Sequence, residues 1–184
     1  MNKKFLHIIL NTVTALAVTV FFSCKNNFKD VQQVGVLQNE PVGVADTINL
    51  KYTDSFKLRA NLLSPKMLDY SNRDFGFSEF PEGIELLIYD DQGNKSKILA
   101  DYAIVYNETD LIDLRGNVIL ATHQKDSLFA PQMYYDQKNE WVFTNQAVRL
   151  RTDGSDLNGR GIDSDRNFNR PEMLEVGGFV EVDN

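Results

Sequence analysis

The chain reads as an all-β protein in which antiparallel strands form two facing sheets, a sandwich or folded trough, with almost no helix beyond the first residues. Three observations predict this. The first is an internal repeat: Ala100-Asp-Tyr-Ala-Ile-Val-Tyr106 leading to Leu114-Arg-Gly-Asn-Val118-Ile-Leu120 is followed by Ala130-Pro-Gln-Met-Tyr-Tyr135 leading to Ala147-Val148-Arg-Leu150. Ala100 and Ala130 stand 30 residues apart, as do Val118 and Val148. The second is period-two alternation in runs rich in Tyr, Phe, Val and Ile. The third is that no segment after the first residues keeps a helical period over three turns. A stacked two-strand repeat cannot bury its apolar face alone, so it builds an elongated body with an apolar interior and unpaired end strands.

The elements follow in order. Residues 1–23 read as a targeting segment: Lys3 and Lys4 are basic, Phe5 to Phe22 is mostly apolar, and small Ser23 precedes Cys24. Cys24 is the only cysteine. Its position points to lipidation after signal cleavage, although Phe21-Phe22-Ser23-Cys24 departs from the stricter lipoprotein pattern. The alternative is a retained anchor, since the 18 residues from Phe5 to Phe22 are close to the minimum for a spanning helix. Asn11 and the threonines at 12, 14 and 19 suit that poorly. Either reading tethers the body to a membrane outside the cytoplasm. Residues 24–49, with breakers Pro41 and Gly43, read as a tether and approach to the first strand.

Residues 50–184 then form the folded domain. Strands are expected near 50–60, 63–71, 75–80, 83–90, 95–106, 110–122, 127–135, 140–151, 157–164 and 173–182. The turns at Asp90-Asp91-Gln92-Gly93-Asn94, Asn107-Glu108-Thr109-Asp110 and Gln137-Lys138-Asn139-Glu140 have side chains that cap or tolerate tight reversals. Alternation sets Ile84, Leu86 and Ile88 on one inward face, and Tyr102, Ile104 and Tyr106 on another. Val118 with Leu120, and Val148 with Leu150, occupy further inward positions, and Trp141 shares a face with Phe143. Gly116 after Arg115 permits a kink or bulge, while the equivalent point of the repeat carries Asn145-Gln146 and a turn of different shape. Such a lining either fills a closed core or forms an open groove.

Charge and motif content exclude several functions. The formal charge is −7, and removal of Lys3 and Lys4 with the first 23 residues makes it −9. An acidic chain without a basic patch does not neutralise phosphates, so nucleic acid is not an expected partner. No Walker-type loop appears, and no Cys/His set for zinc. His123 lies in the polar turn from Thr122 to Asp126, where no nucleophile with a plausible orienting partner is evident nearby in sequence. Asp163-Ser-Asp165-Arg-Asn167 opens like a calcium loop, but Phe168 stands where glycine is needed and Leu174 where glutamate is needed. No catalytic residue, metal or cofactor is expected.

Phe80-Pro-Glu-Gly83, Leu99-Ala-Asp-Tyr102, Leu114-Arg-Gly-Asn-Val118, Tyr134-Tyr-Asp136, Trp141-Val-Phe-Thr144 and Gly159-Arg-Gly-Ile-Asp163 together carry a resemblance. Over roughly residues 55–165 the chain resembles the LptC family, the membrane-tethered periplasmic component of lipopolysaccharide export, in the lipoprotein form of Bacteroidetes-type bacteria. The resemblance implies an LptA-like β-jelly roll whose apolar groove shields lipid A acyl chains. It further implies that the protein receives lipopolysaccharide from a transporter formed by LptB, LptF and LptG and passes it to LptA.

On these grounds the groove is expected from Ile84, Leu86, Ile88, Tyr102, Ile104, Val118, Leu120, Phe143 and Val148. The edge facing LptA is expected in the last strand, around Gly177-Gly178, at Leu174, Val176, Val180 and Val182, with Cys24 as the anchor. The competing expectation is a tethered β-sandwich that scaffolds envelope assembly and carries no cargo.

Overall fold

The computed structural model describes residues 40–180. Eleven strands occupy them: β1 (Gly43–Asp54), β2 (Lys57–Asp69), β3 (Phe77–Phe80), β4 (Ile84–Tyr89), β5 (Lys95–Ala100), β6 (Tyr102–Tyr106), β7 (Leu111–Ala121), β8 (Ser127–Asp136), β9 (Trp141–Thr152), β10 (Ser155–Asp165) and β11 (Glu172–Val180). They form one antiparallel sheet in the order β11-β10-β9-β8-β7-β5-β4-β2-β3-β6, with β1 paired to β2 and β6 returning to β7. No helix occurs among the described residues.

That circular order has a single cause, a crease across the sheet. The second half of β7 pairs with β5 through Ile119↔Leu99 and its neighbours, whereas the first half pairs with β6 through Leu114↔Ala103. In the same way β2 gives Ala60 to Leu63 to β4, then Leu68 and Asp69 to β3. Thus β3 and β4 are two halves of one bent strand, as are β5 and β6. The register shifts at the corresponding point in β7, β8 and β10. Pro65, Gly83, Asp101, Gly116, Pro131, Asn145 and Gly161 mark the crease from strand to strand. One arm contains β3, β6 and the first half of β7. The other contains β4, β5 and its second half.

Local chemistry makes the bend. Pro65 and Pro131 lack the N–H that a straight ladder needs. Gly83 has φ +86°, and a Cβ there would lie 2.6 Å from the Ala100 carbonyl oxygen. Gly116 has φ +72°, with Asp101 Oδ2 2.9 Å from where its Cβ would be. The Asp101 amide donates to the Gly116 carbonyl at 3.0 Å and pins the two folded strands together. Asn145-Gln146 bends β9 without glycine, and the Gln146 amide donates to Thr144 Oγ1 at 3.2 Å.

Alternation places the core between the arms. Ile112, Leu114, Met133 and Val142 come from one arm, and Leu86, Ile98, Leu120, Leu128 and Leu150 from the other, in one buried cluster. Each such side chain contributes roughly 1.5–3 kcal/mol when fully buried.

The strands expected at 83–90, 110–122, 127–135, 140–151, 157–164 and 173–182 are present within a few residues as β4 and β7 to β11. The expected strand at 95–106 is divided at Asp101 by the crease. The first two strands begin earlier than expected, at Gly43 and Lys57 instead of 50 and 63. Their connecting turn uses Ser55 and Phe56, both at positive φ, and contains none of the usual Asn-Gly or Asp-Gly signals.

The Gly83→Ala variant is expected to lose about 1–3 kcal/mol from backbone strain alone, and more from displacing the Ala100 carbonyl. Denaturant unfolding measures it. The turn after β8 predicts an acid dependence. Asp136 accepts from the Asn139 amide at 2.9 Å and from its side-chain nitrogen at 2.8 Å, and these bonds hold its carboxyl below the ordinary value. The folded state therefore favours the ionised form. Its stabilisation is complete above the ordinary carboxylate range, near about 3.9, and is lost as pH falls through the lowered value. Asp136→Asn is expected to flatten the stability decrease between about pH 5 and pH 3, measured by denaturant midpoints.

Candidate functional site

Six of the expected lining residues meet in one place. Ile84, Leu86 and Ile88 on β4, Val118 and Leu120 on β7, and Val148 on β9 all belong to the buried cluster between the arms. The other three do not join them. Tyr102, Ile104 and Phe143 lie on the opposite, outward face. The register pairs Tyr102 with Arg115, Ile104 with Asp113 and Phe143 with Tyr134, while Ala103, Leu114 and Val142 point inward.

The physical reason is that the outer face has its own uses for large side chains. The Tyr134 and Phe143 rings stack at 5.2 Å. Tyr102 donates to Glu79 Oε1 at 2.8 Å and lies beneath the Arg115 guanidinium, 5.7 Å from ring centroid to Cζ. Burial first, then that hydrogen bond, pushes its phenol up to about 12. Beside it, Asp113 is buried on the outer face and accepts from Arg115 Nη2 at 2.5 Å and from Gln132 Nε2 at 2.9 Å. Gln132 in turn accepts from Thr144 Oγ1 at 3.2 Å. The network crosses three strands, β7, β8 and β9.

The interior is closed in this state. Val118 is 1% exposed, and Leu114, Leu120 and Met133 are fully buried. The apolar lining reaches the surface on the side away from the crease, where the turn ends of the two arms meet. A cleft of about 490 Å³ there has Leu86, Ile88 and Tyr135 among its walls, with Arg59, Asp91, Glu140 and Arg166 around them. Burial pushes the Tyr135 phenol up to about 12, so it remains a neutral, hydrogen-bonding group. Arg59 pairs with Asp91 at 2.6 Å, and Arg166 Nη1 lies 3.3 Å from Glu140 Oε1. Tyr135, Arg59 and Arg166 were not expected at the lining. Arg166 was legible in principle, because it continues the inward alternation of Ile162 and Ser164.

Two strands end the sheet. β11 pairs only with β10, and its Leu174, Val176 and Phe179 are exposed, Leu174 by 71%. Val180 closes the strand; Val182 and Cys24 lie outside the described residues. β1 pairs only with β2 and exposes Val44, Leu50 and Tyr52. Gly177 and Gly178 pair in regular register with Asn158 and Leu157, and the register of β11 with β10 shifts before them, between Leu174 and Gly177. His123 is exposed in its turn. Asp165 caps a turn by accepting from the Asn167 and Arg170 amides at 2.9 and 3.1 Å, and Phe168 is buried.

A creased antiparallel sheet with an apolar interior, a lateral cleft and two open edges defines the folded-trough class of β-jelly roll. Over residues 12–176 the chain matches the family described as lipopolysaccharide-assembly, LptC-related, and it belongs to that family. Its role therefore lies in lipopolysaccharide transport, as an envelope-associated transport component. No curated protein matches the chain. Among the described residues no helix is long and apolar enough to cross a membrane.

The closed interior decides how a charge at Val118 is tolerated. An open groove would tolerate Val118→Asp, but Val118 is packed on all sides. The unpaired carboxylate is expected to cost about 3–5 kcal/mol against a total stability of roughly 5–15 kcal/mol. Thermal unfolding followed by far-ultraviolet dichroism measures the loss.

Proposed function

We propose that the protein is a membrane-tethered periplasmic bridge component, which shields lipid A acyl chains between its two arms. It takes lipopolysaccharide from the inner-membrane LptB/LptF/LptG transporter and passes it to LptA. The observation that carries this reading is the continuous apolar interior shared by β4 to β10, with its cleft on the side away from the crease. Each methylene exposed to water costs about 0.8 kcal/mol, so a multi-chain lipid needs such a path. The arms are one sheet joined at the crease. Parting them exchanges side-chain contacts for acyl contacts and breaks no ladder hydrogen bond within either arm.

The end strands supply the couplings. An unpaired edge completes its backbone hydrogen bonds with a partner strand. β11, with Leu174, Val176, Val180 and the following Val182, is the edge assigned to LptA. Cys24 is assigned to the lipid anchor in the inner membrane, residues 24–49 to the tether and the start of the first strand, and nucleic acid has no part.

One observation favours a second reading, an assembly scaffold without cargo: the interior is packed shut. Photo-crosslinking in cells separates the two. A photoreactive amino acid at Ile88 or Val118 is expected to yield a lipopolysaccharide-shifted band that depends on the partner ATPase. The same group at Phe143, on the outer face, is expected to yield none. No band at Ile88, Val118 or Leu120 at normal protein levels would establish the scaffold.

A further inference from the structure

The inward alternation of β10 runs on into the turn after Asp165 and breaks its own pattern at the cleft. Ile162, Ser164 and Arg166 succeed one another on that face, and the third is a cation where alternation calls for an apolar residue. Arg166 is 6% exposed. Its Nε and Nη1 are buried without a hydrogen-bond partner among the described residues, as is Ser164 Oγ. The nearest countercharge is Glu140 Oε1, 3.3 Å from Nη1, on a side chain 55% exposed. Beside it the Tyr135 hydroxyl also bonds to the Arg166 side chain, yet a neutral hydroxyl and one half-exposed carboxylate compensate a desolvated guanidinium only in part, and a fold keeps such a group only where something repays it.

The charges around the cleft are layered. Arg166 is deepest and Arg59, its side chain 29% exposed, is next. Their carboxylate partners are further out, Asp91 at 72% exposure and Glu140 at 55%. Lys138 and Asp54 are both exposed on the rim and balance each other. The cations thus border the apolar wall of Leu86, Ile88 and Tyr135, and the carboxylates border water. An incoming anion can displace both carboxylates into solvent at little cost. A planar guanidinium fork matches the oxygens of a phosphate, which accepts two parallel charge-assisted bonds.

We infer that Arg166, supported by Arg59, seats the phosphate of an amphiphile whose chains enter beside Leu86 and Ile88. The inference rests on the lipid-carrying reading above and assigns that cargo an orientation, with its anionic head at the lateral cleft and its chains toward the crease. Glu140 holds the seat when no lipid is present and gives way when the phosphate arrives.

The test uses the full-length chain in a non-ionic amphipol, with Trp141 as the only tryptophan. Trp141 shares a surface recess with Arg166 and reports on it by fluorescence. The probes are dihexanoyl phosphatidic acid, dihexanoylglycerol and inorganic phosphate. Phosphatidic acid is expected to bind at least about tenfold more tightly than the glycerol lipid, the value of a charge-assisted pair. Arg166→Gln is expected to bring that ratio close to one. Glu140→Gln, which leaves Arg166 in place, is expected to tighten phosphatidic acid binding a few fold with the glycerol lipid unchanged. Equal binding of the two lipids by the native protein overturns the phosphate seat and leaves the groove standing. Inorganic phosphate binding as tightly as phosphatidic acid overturns it in favour of a free-anion site. Binding of neither lipid removes the groove reading and this inference with it.

Discussion

Every strand from β7 to β10 belongs to both arms, and the rest of the structure depends on that shared covalent path through the crease. In an ordinary sandwich two sheets are held face to face by side chains and a few loops. Here the backbone itself turns from one sheet into the other, strand after strand, at Gly116, Pro131, Asn145 and Gly161. Register in one arm therefore fixes register in the other, because a slip by one residue would turn every inward side chain outward in both. The bond from the Asp101 amide to the Gly116 carbonyl matters for the same reason. It sets where β5 ends and β6 begins, and so which of Tyr102 and Ala103 faces the core.

The crease also explains why the sheet has ends. Folding brings β6 back onto β7 and closes the ring at one side, but β1 and β11 remain outside it. Edges of this length invite aggregation unless they are protected. Charge supplies part of the protection: β1 carries Asp46, Lys51 and Asp54, β11 carries Glu172 and Glu175, and the whole chain is acidic. Positive-φ Glu175 beside Gly177-Gly178 breaks the regularity of β11 further. Between these interruptions the apolar residues of both edges stay exposed, which is the arrangement expected of an edge kept for a particular partner.

Much of this was legible. Alternation located seven of the ten expected strands in place or nearly so, since 83–90 and 127–135 are clean period-two runs bounded by turn residues. It failed at 50–60, where Ser55-Phe56 reverses the chain without any recognisable turn residue. The 30-residue repeat was read correctly as a two-strand unit, and its odd point, Arg115-Gly116 against Asn145-Gln146, turns out to be the crease crossed by two different local chemistries. The site was read less well. The expected strand 95–106 was not broken at Asp101, and bulky Tyr102, Ile104 and Phe143 were preferred to small Ala103 as core residues. Nothing local reveals that the outer face has its own aromatic stack and buried carboxylate. That depends on Arg115, Gln132 and Tyr134 arriving from other strands.

A packed interior, although it also suits a scaffold, is physically compatible with the proposed traffic. Between fully apolar surroundings the transfer of an acyl chain is nearly neutral, because Leu120 against a methylene resembles Leu120 against Leu128. Most of the roughly 0.8 kcal/mol per methylene is therefore recovered on leaving water, while part of it is returned in separating the arms. On the proposed reading, a lipid would then be held strongly enough not to escape into water and weakly enough to leave for an equivalent site. A permanently open trough would bind tighter and would release only at a cost that the next protein in line would have to match.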